Sequence, residues 1–249
     1  MYEMVKSVDQ IALMRGAGRV VGCTLQKLAE VVAPGVTTAE LDRIAEESIR
    51  GQGAVPSFKG YRGYPATICA SVNDAIVHGI PDGRVLVDGD IVSIDCGAIW
   101  EGYQGDAALT VAVGEAAPQT VKLMGVTRAA LAAGIAAARA GGRLGDISHA
   151  IEQVAEQGGF RVVREYGGHG IGRRMHEPPR IPNQGPAGQG IRLRAGMTLA
   201  LEPMLTSGDG STRVLADQWT VVTAGGEPSA HYEHTIVVTQ DGAEILTRC

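Results

Sequence analysis

Residues 90–113 read DIVSIDCGAIWEGYQGDAALTVAV, and their reading decides how the chain folds. Two runs of apolar and small residues, Asp90–Ala98 and Tyr103–Val113, flank the turn pair Glu101-Gly102, which predicts a β-hairpin. Each strand carries one carboxylate in nearly uncharged sequence, Asp95 in the first and Asp106 in the second. A buried carboxylate without a partner is costly to desolvate, so it must protonate or find a counter-charge. Two such residues on one face of a hairpin can converge on a common point. The plainer alternative is a pair of surface aspartates near a turn.

Upstream of the hairpin, Ile11–Val32 sets Ile11, Met14, Val21, Leu25 and Leu28 at helical spacing and stops at Pro34-Gly35. Thr37-Thr38-Ala39-Glu40 reads as a capping box, opening a helix that buries Leu41, Ile44, Ala45, Ser48 and Ile49. Downstream the unit recurs. Val121–Ala140 is a helix, Gly141-Gly142 breaks it, and Ile147, Ala150, Ile151, Val154 and Ala155 repeat the stripe, each 106 residues after its counterpart. This predicts two similar halves, each with a helix pair, facing each other across a shared sheet. Met197–Leu205, Trp219–Thr223 and His231–Thr239 supply three more strands. Gly and Pro punctuate loops at 178–190, 207–210 and 225–228. With no stretch that reads as a linker, the expected architecture is one α+β domain over residues 1–249, built on a central antiparallel sheet.

With 249 residues, 45% of them hydrophobic, the chain can bury a large core. Its net charge of −5 leaves no basic stripe of the kind a nucleic-acid partner requires. Cysteines at 23, 69, 96 and 249 form no CxxC pair, which predicts reduced thiols in a cytosol. The N-terminal MYEMVKSVDQ carries Glu3 and Asp9 and lacks an apolar segment, so no signal peptide is expected. The alanine-rich stretch Ala129–Ala140 contains Gly134 and has arginines near both ends, which reads as too short and too weakly hydrophobic to cross a bilayer. A cytoplasmic location without a membrane partner is therefore expected.

Three further residues have ligand chemistry in unexpected surroundings. Glu202 sits among large apolar residues in Leu199–Leu205, just before Pro203 and 107 residues after Asp95, as the second half's counterpart of it. Glu233 lies in the apolar run His231–Val238. His169 is held between Gly168 and Gly170, on backbone free to approach a neighbour closely. Singly, these read as an exposed edge glutamate or a structural histidine. Jointly, four carboxylates and one imidazole without a thiolate suit Mn, Fe, Co or Zn rather than a closed cysteine site. Carboxylates that bridge can hold two ions ~3.5–4 Å apart, and two divalent cations would neutralise four buried negative charges.

A set of short motifs occurs in order along the chain: Ala33–Thr38, Gly60–Ala66, Ser71–Asp74 with His78–Pro81, Ile94–Gly97, Gly105–Ala108, Gly168–Gly172, His176–Pro178, Leu201–Met204 and Tyr232–Thr235. In these, residues from about 11 to 238 resemble the type I methionine aminopeptidases. The resemblance implies a pita-bread fold, in which two pseudo-symmetric halves surround a curved antiparallel sheet. It implies two divalent ions, with Asp95 on one, His169 and Glu202 on the other, and Asp106 and Glu233 bridging both. By the same resemblance His78 contacts the scissile amide nitrogen and His176 bonds the substrate carbonyl and the tetrahedral intermediate. The plainer alternative for each is a core or surface histidine. The resemblance further implies that Glu202 accepts a proton from a water shared by the two cations, giving the hydroxide that attacks the first peptide bond, and that Tyr61, Tyr64, Cys69, Met175 and Trp219 form an apolar methionine pocket. The implied activity is removal of the initiator methionine from nascent polypeptides whose second residue is small, by a monomer working near the ribosome.

Three positions depart from the commoner pattern of that family. Met175 stands where many members have Phe, Gln104 where many have His, and His231 where many have Gln; none of the three is expected to be a ligand. With no zinc-binding N-terminal extension and no long insertion between His176 and Glu202, a bacterial-type enzyme is expected. Two other readings compete. Prolidases and X-Pro aminopeptidases share the fold but usually carry a separate N-terminal domain, for which 249 residues leave no room. A metal-free pita-bread module that binds RNA or protein is disfavoured by five intact ligand positions and the negative charge.

Overall fold

The computed structural model describes residues 4–249, so Glu3 of the leader reading lies outside the described residues. The first half runs α1 (Val8–Val31), α2 (Thr38–Gly51), β1 (Val55–Pro56), β2 (Ile68–Val72), β3 (Ala75–Val77), β4 (Ile91–Trp100) and β5 (Tyr103–Ala112). The second runs α3 (Pro118–Ala137), α4 (Leu144–Gly158), β6 (Arg161–Val162), β7 (Gly167–Gly170), β8 (Glu177–Pro182), β9 (Thr198–Leu201), β10 (Met204–Thr206), β11 (Thr212–Val214), β12 (Val221–Thr223), β13 (Ser229–His231), β14 (Glu233–Val238) and β15 (Ala243–Ile245). Helix α1 begins three residues before the expected start because Ser7 and Gln10 close a reciprocal cap, each side chain accepting the other's backbone N–H. Thr37 caps α2 by accepting the Glu40 N–H.

The expected hairpin forms. β4 and β5 pair antiparallel from Ile91↔Ala112 to Trp100↔Tyr103, and Glu101 and Gly102 both turn with positive φ. The main sheet has the order β1-β4-β5-β14-β9-β7-β8, with β2 on β4 and β15 on β14. Its two halves mirror each other about the β5–β14 seam. On one side α1 and α2 cover β4 and β5, burying Leu41, Ala45 and Ile49 with Ile94, Cys96 and Ala98. On the other, α3 and α4 cover β9 and β14, burying Ile147, Ile151 and Ala155 with Leu199, Leu201 and Ile236. The two repeated stripes are thus equivalent contacts of two half-cores. This is the pita-bread architecture.

Two expected strands each divide. Met197–Leu205 splits at Glu202-Pro203 into β9 and β10, and His231–Thr239 splits at Tyr232 into β13 and β14. Pro203 has no N–H for a ladder, and its carbonyl accepts the Tyr232 N–H where the second strand breaks. Both strands leave the main sheet at this level, and β10 and β13 pair in a separate three-stranded sheet with β6.

The expectation of four reduced thiols fails for two of them. Cys23 on α1 is bonded to Cys249, with Cα atoms 4.5 Å apart, while Cys69 and Cys96 are free and buried. The C-terminal segment lies directly on α1 because Gly18 and Gly22 face it. A Cβ on Gly18 would collide with the Leu246 carbonyl, and one on Gly22 would stand 2.8 Å from Arg248 backbone. Helix α3, 20 residues long, also exceeds the expected apolar stretch, and its length and composition alone would suffice to cross a membrane. In the fold it lies against α4 with Leu123, Ala130, Leu131 and Gly134 buried.

Candidate active site

Strand register brings the sequence's scattered acids together. Asp95 lies opposite Ala108, and Asp106 opposite Gly97. Glu233 also lies opposite Ala108, from the other side. Ala200 of β9 lies opposite Thr235 and opposite His169 of β7. Side chains alternate along a strand, and opposed residues share a face. Asp95, Asp106, Glu233 and His169 therefore point to one face, the one not covered by the helices, and Glu202 follows two residues after Ala200 where β9 ends. The glycines beside His169 are required for this packing: a Cβ on Gly168 would collide with the Ala200 carbonyl, and one on Gly170 with the Pro178 carbonyl.

The polar atoms at this point are close but not bonded. His169 Nε2 lies 3.8 Å from Asp106 Oδ2 and 3.7 Å from Glu202 Oε1. Its Nδ1 faces the Gly170 carbonyl at 2.9 Å, so the proton sits on Nδ1 and the Nε2 lone pair faces the acids. Asp106, His169 and Glu233 offer ligand atoms all within 4.8 Å of one another, as do Glu202, His231 and Glu233. Oδ1 of Asp95, Oδ1 of Asp106, Oε1 of Glu233 and Nε2 of His231 are buried with no hydrogen-bond partner. Buried polar atoms normally have partners, and a cluster of unpartnered donors is what a cation requires.

Electrostatics agree with that reading. Burial, and then the Glu233 and Asp95 charges, raise the Asp106 carboxyl well above its usual range. Burial raises Glu233 and Glu202 in the same way, with neighbouring carboxylates adding to it, and pushes Asp95 up to about 7. Desolvation pushes His169 down to about 4, so its imidazole is neutral at pH 7. Bound divalent cations would reverse the penalty on all four acids at once. The residues fit a metal centre.

The cluster floors a cavity of about 160 Å³. Asp95, Asp106, His169, Glu202 and Glu233 line it, and so do His78, His176, Tyr61, Tyr64, Cys69, Met175 and Trp219. All twelve residues singled out in the sequence meet in one place. His176 Nδ1 is 2.9 Å from the Tyr61 hydroxyl, and its ring centroid is 4.3 Å from that of His169. His78 has φ of 61°, a left-handed conformation costing about 1–3 kcal/mol and concentrated at functional sites. The edges and faces of Tyr166 and Trp219 hold its ring. Burial lowers the pKa of both histidines, that of His78 to about 4. Tyr64 is fixed by donating to the Ile68 and Gly79 carbonyls, each at 3.0 Å. Gly97 leaves room for the pocket wall, since a Cβ there would stand 2.7 Å from Phe58 and 3.0 Å from Met175.

Phe58 and Arg62 also line the cavity, although the sequence reading did not select them. They come from an irregular segment with no periodicity to mark them. Gln104 does not line it; its side-chain oxygen accepts from Ser57 at 2.6 Å behind the wall. His231, set aside as a non-ligand, brings Nε2 to 3.8 Å from Glu233 Oε2 and 4.0 Å from Glu202 Oε2.

Comparisons with known proteins agree with this geometry. Residues 12–240 match the model of Metallopeptidase family M24. The chain is 50% identical over 247 residues to a methionine aminopeptidase of Clostridium acetobutylicum, covering 99% of each chain. It is 51% identical over 243 residues to methionine aminopeptidase 1 of Bacillus subtilis, covering 98% of each. The crystal structure of a methionine aminopeptidase from Thermotoga maritima superposes with a TM-score of 0.98 at 45% identity, covering 100% of both chains. With its carboxylate cluster and cavity on one sheet face, the chain belongs to metallopeptidase family M24.

Proposed function

We propose that this chain removes the initiator methionine from new polypeptides whose second residue is small, acting as one catalytic unit over residues 1–249. The observation that carries the reading is the meeting of four carboxylates and one imidazole, from both halves, around one small cavity. Relatives about half identical over almost their whole length bear the name of this activity.

In this reading Asp95 would hold one divalent ion, His169 and Glu202 would hold a second, and Asp106 and Glu233 would contribute to both. Such ions, whether Co, Mn, Fe or Zn, lower the pKa of water and polarise a carbonyl. Glu202, with 15% of its side chain exposed, accepts a proton from the attacking water. In this reading the Tyr61 hydroxyl, 2.9 Å from His176 Nδ1, donates to it and leaves the His176 proton on Nε2, where it donates to the carbonyl oxygen as negative charge builds there. His78 hydrogen-bonds the scissile amide nitrogen. The methionine side chain fills the cavity against Tyr64, Cys69, Met175 and Trp219. The protein works as a monomer in the cytoplasm, on nascent N-termini near the ribosome.

The test is peptide hydrolysis after chelation and stepwise return of Mn, Fe, Co and Zn. Met-Ala-Ser should be cleaved only once metal is returned, and Ala-Pro peptides should not be cleaved. Preference for Ala-Pro would favour a prolidase, and absence of both metal uptake and turnover would favour a binding module.

A further inference from the structure

The mechanism above leaves one buried side chain beside the acids unused. His231 ends β13, two residues before Glu233, and is 1% exposed. Its backbone is fixed to β5 through a single hydroxyl: its N–H donates to Thr110 Oγ1 at 2.9 Å, and its carbonyl accepts from the same group at 2.9 Å. That hydroxyl lies 2.8 Å from Ser93 Oγ, which ties the arrangement to β4 as well. The imidazole is thus carried on rigid backbone, with Nε2 aimed between two glutamates.

Nε2 has no hydrogen-bond partner in this buried position. Its separations from Glu233 Oε2 and Glu202 Oε2, 3.8 and 4.0 Å, are too long for hydrogen bonds, which reach ~3.2 Å. They do suit donors that share an ion: two ligand atoms each ~2.1 Å from one cation stand at most ~4.2 Å apart. His169 Nε2 shows the same spacing to Glu202 Oε1 and Asp106 Oδ2, 3.7 and 3.8 Å. The two imidazoles therefore face Glu202 from different strands at matching distances. A buried ring nitrogen left unpaired would cost the full desolvation of that group, and a cation between it and the glutamates, met by the tautomer whose proton is on Nδ1, removes that cost.

We propose that His231 is a further donor to this centre, its Nε2 ligating the cation held by Glu202 and Glu233, so that the chain presents two imidazoles where the acid cluster alone provides one. The proposal rests on the reading of the cluster as a metal site. A second neutral nitrogen adds no charge and shifts preference away from Mn and toward Zn and Co, which imidazole suits better.

The experiment uses the full chain stripped of metal, comparing wild type with His231→Gln and His231→Ala. Zn and Co affinities are measured by competition with a chromogenic chelator, the Co(II) absorption spectrum is recorded, and X-ray absorption counts imidazoles per chain at Zn saturation. Both variants should bind one ion at least ~10-fold more weakly, show an altered Co(II) spectrum, and lose one imidazole per chain relative to wild type. Unchanged affinity, spectrum and imidazole count would overturn the proposal. Should the variants not fold, the wild-type count decides alone: two imidazoles per chain support it and one overturns it. A wild-type chain that takes up no Zn overturns this proposal and the metal reading together, whereas uptake on a single imidazole overturns this one only.

Discussion

At the scale of the residue, the site is a set of groups that are unfavourable alone and compatible together. Asp106 and Glu233 are each assigned to two ions, so Asp106→Asn and Glu233→Gln should nearly abolish metal binding and turnover, as calorimetry and peptide hydrolysis would register. Each replacement also removes a buried carboxyl whose charge the fold resists. The metal-free variants should therefore melt no lower than the metal-free parent, which calorimetric scans of chelated protein would check. His176→Ala should keep its metal yet lose ~10²-fold or more in kcat, as expected for an oxyanion donor. Loss of metal instead would overturn the ligand assignment. Met175, buried against Gly97 and Phe58, sets pocket shape. Met175→Phe should alter the ratio of kcat/KM values between methionine and other N-terminal side chains more than it alters kcat for methionine.

At the scale of the element, the duplicated helix pairs cover the sheet face opposite the one that carries the acids. Ile49 and Ile151 are both fully buried and sit at the end of α2 and in the middle of α4. Ile49→Ala and Ile151→Ala should each cost about 2–5 kcal/mol in urea unfolding. They belong to separate half-cores, so the double variant should show an additive loss; strong coupling would contradict two half-cores. Gly105 on β5 is a sharper case, because a Cβ there would stand 2.7 Å from the Ala17 backbone of α1. Gly105→Ala would push apart the helix and the strand that carries Asp106, so its metal affinity should fall along with its stability.

At the scale of the whole molecule, each half supplies part of a site that neither half contains. Asp95 and Asp106 come from the first, His169, Glu202 and Glu233 from the second, and the β5–β14 seam joins them. Divalent ions bound across that seam should stabilise the entire fold. At a free concentration of 100 times Kd the gain is about 2.7 kcal/mol per ion, read as a rise in Tm that chelation removes. The Cys23–Cys249 bond closes the chain near its ends. Thiol titration in denaturant should count two thiols in the oxidised protein and four after reduction.

Sequence alone settled what local chemistry and periodicity can reach. Two runs of apolar and small residues flanking a turn pair placed the hairpin of residues 90–113, helical spacing placed both helix pairs, and a constant offset announced the two halves. Carboxylates stood out as a set because each lay among apolar neighbours, and the order of short motifs named a family. What needed the tertiary structure depends on atoms far apart in the chain. The strand breaks at Glu202-Pro203 and Tyr232 arise where two strands leave the sheet together, which neither shows by itself. Cys23 meets Cys249 because glycines on α1 admit the C-terminal segment. Phe58 and Arg62 reach the cavity, and His231 the acid cluster, by the path of the backbone, since neither an irregular loop nor a lone histidine carries a period that reveals which way its side chain faces.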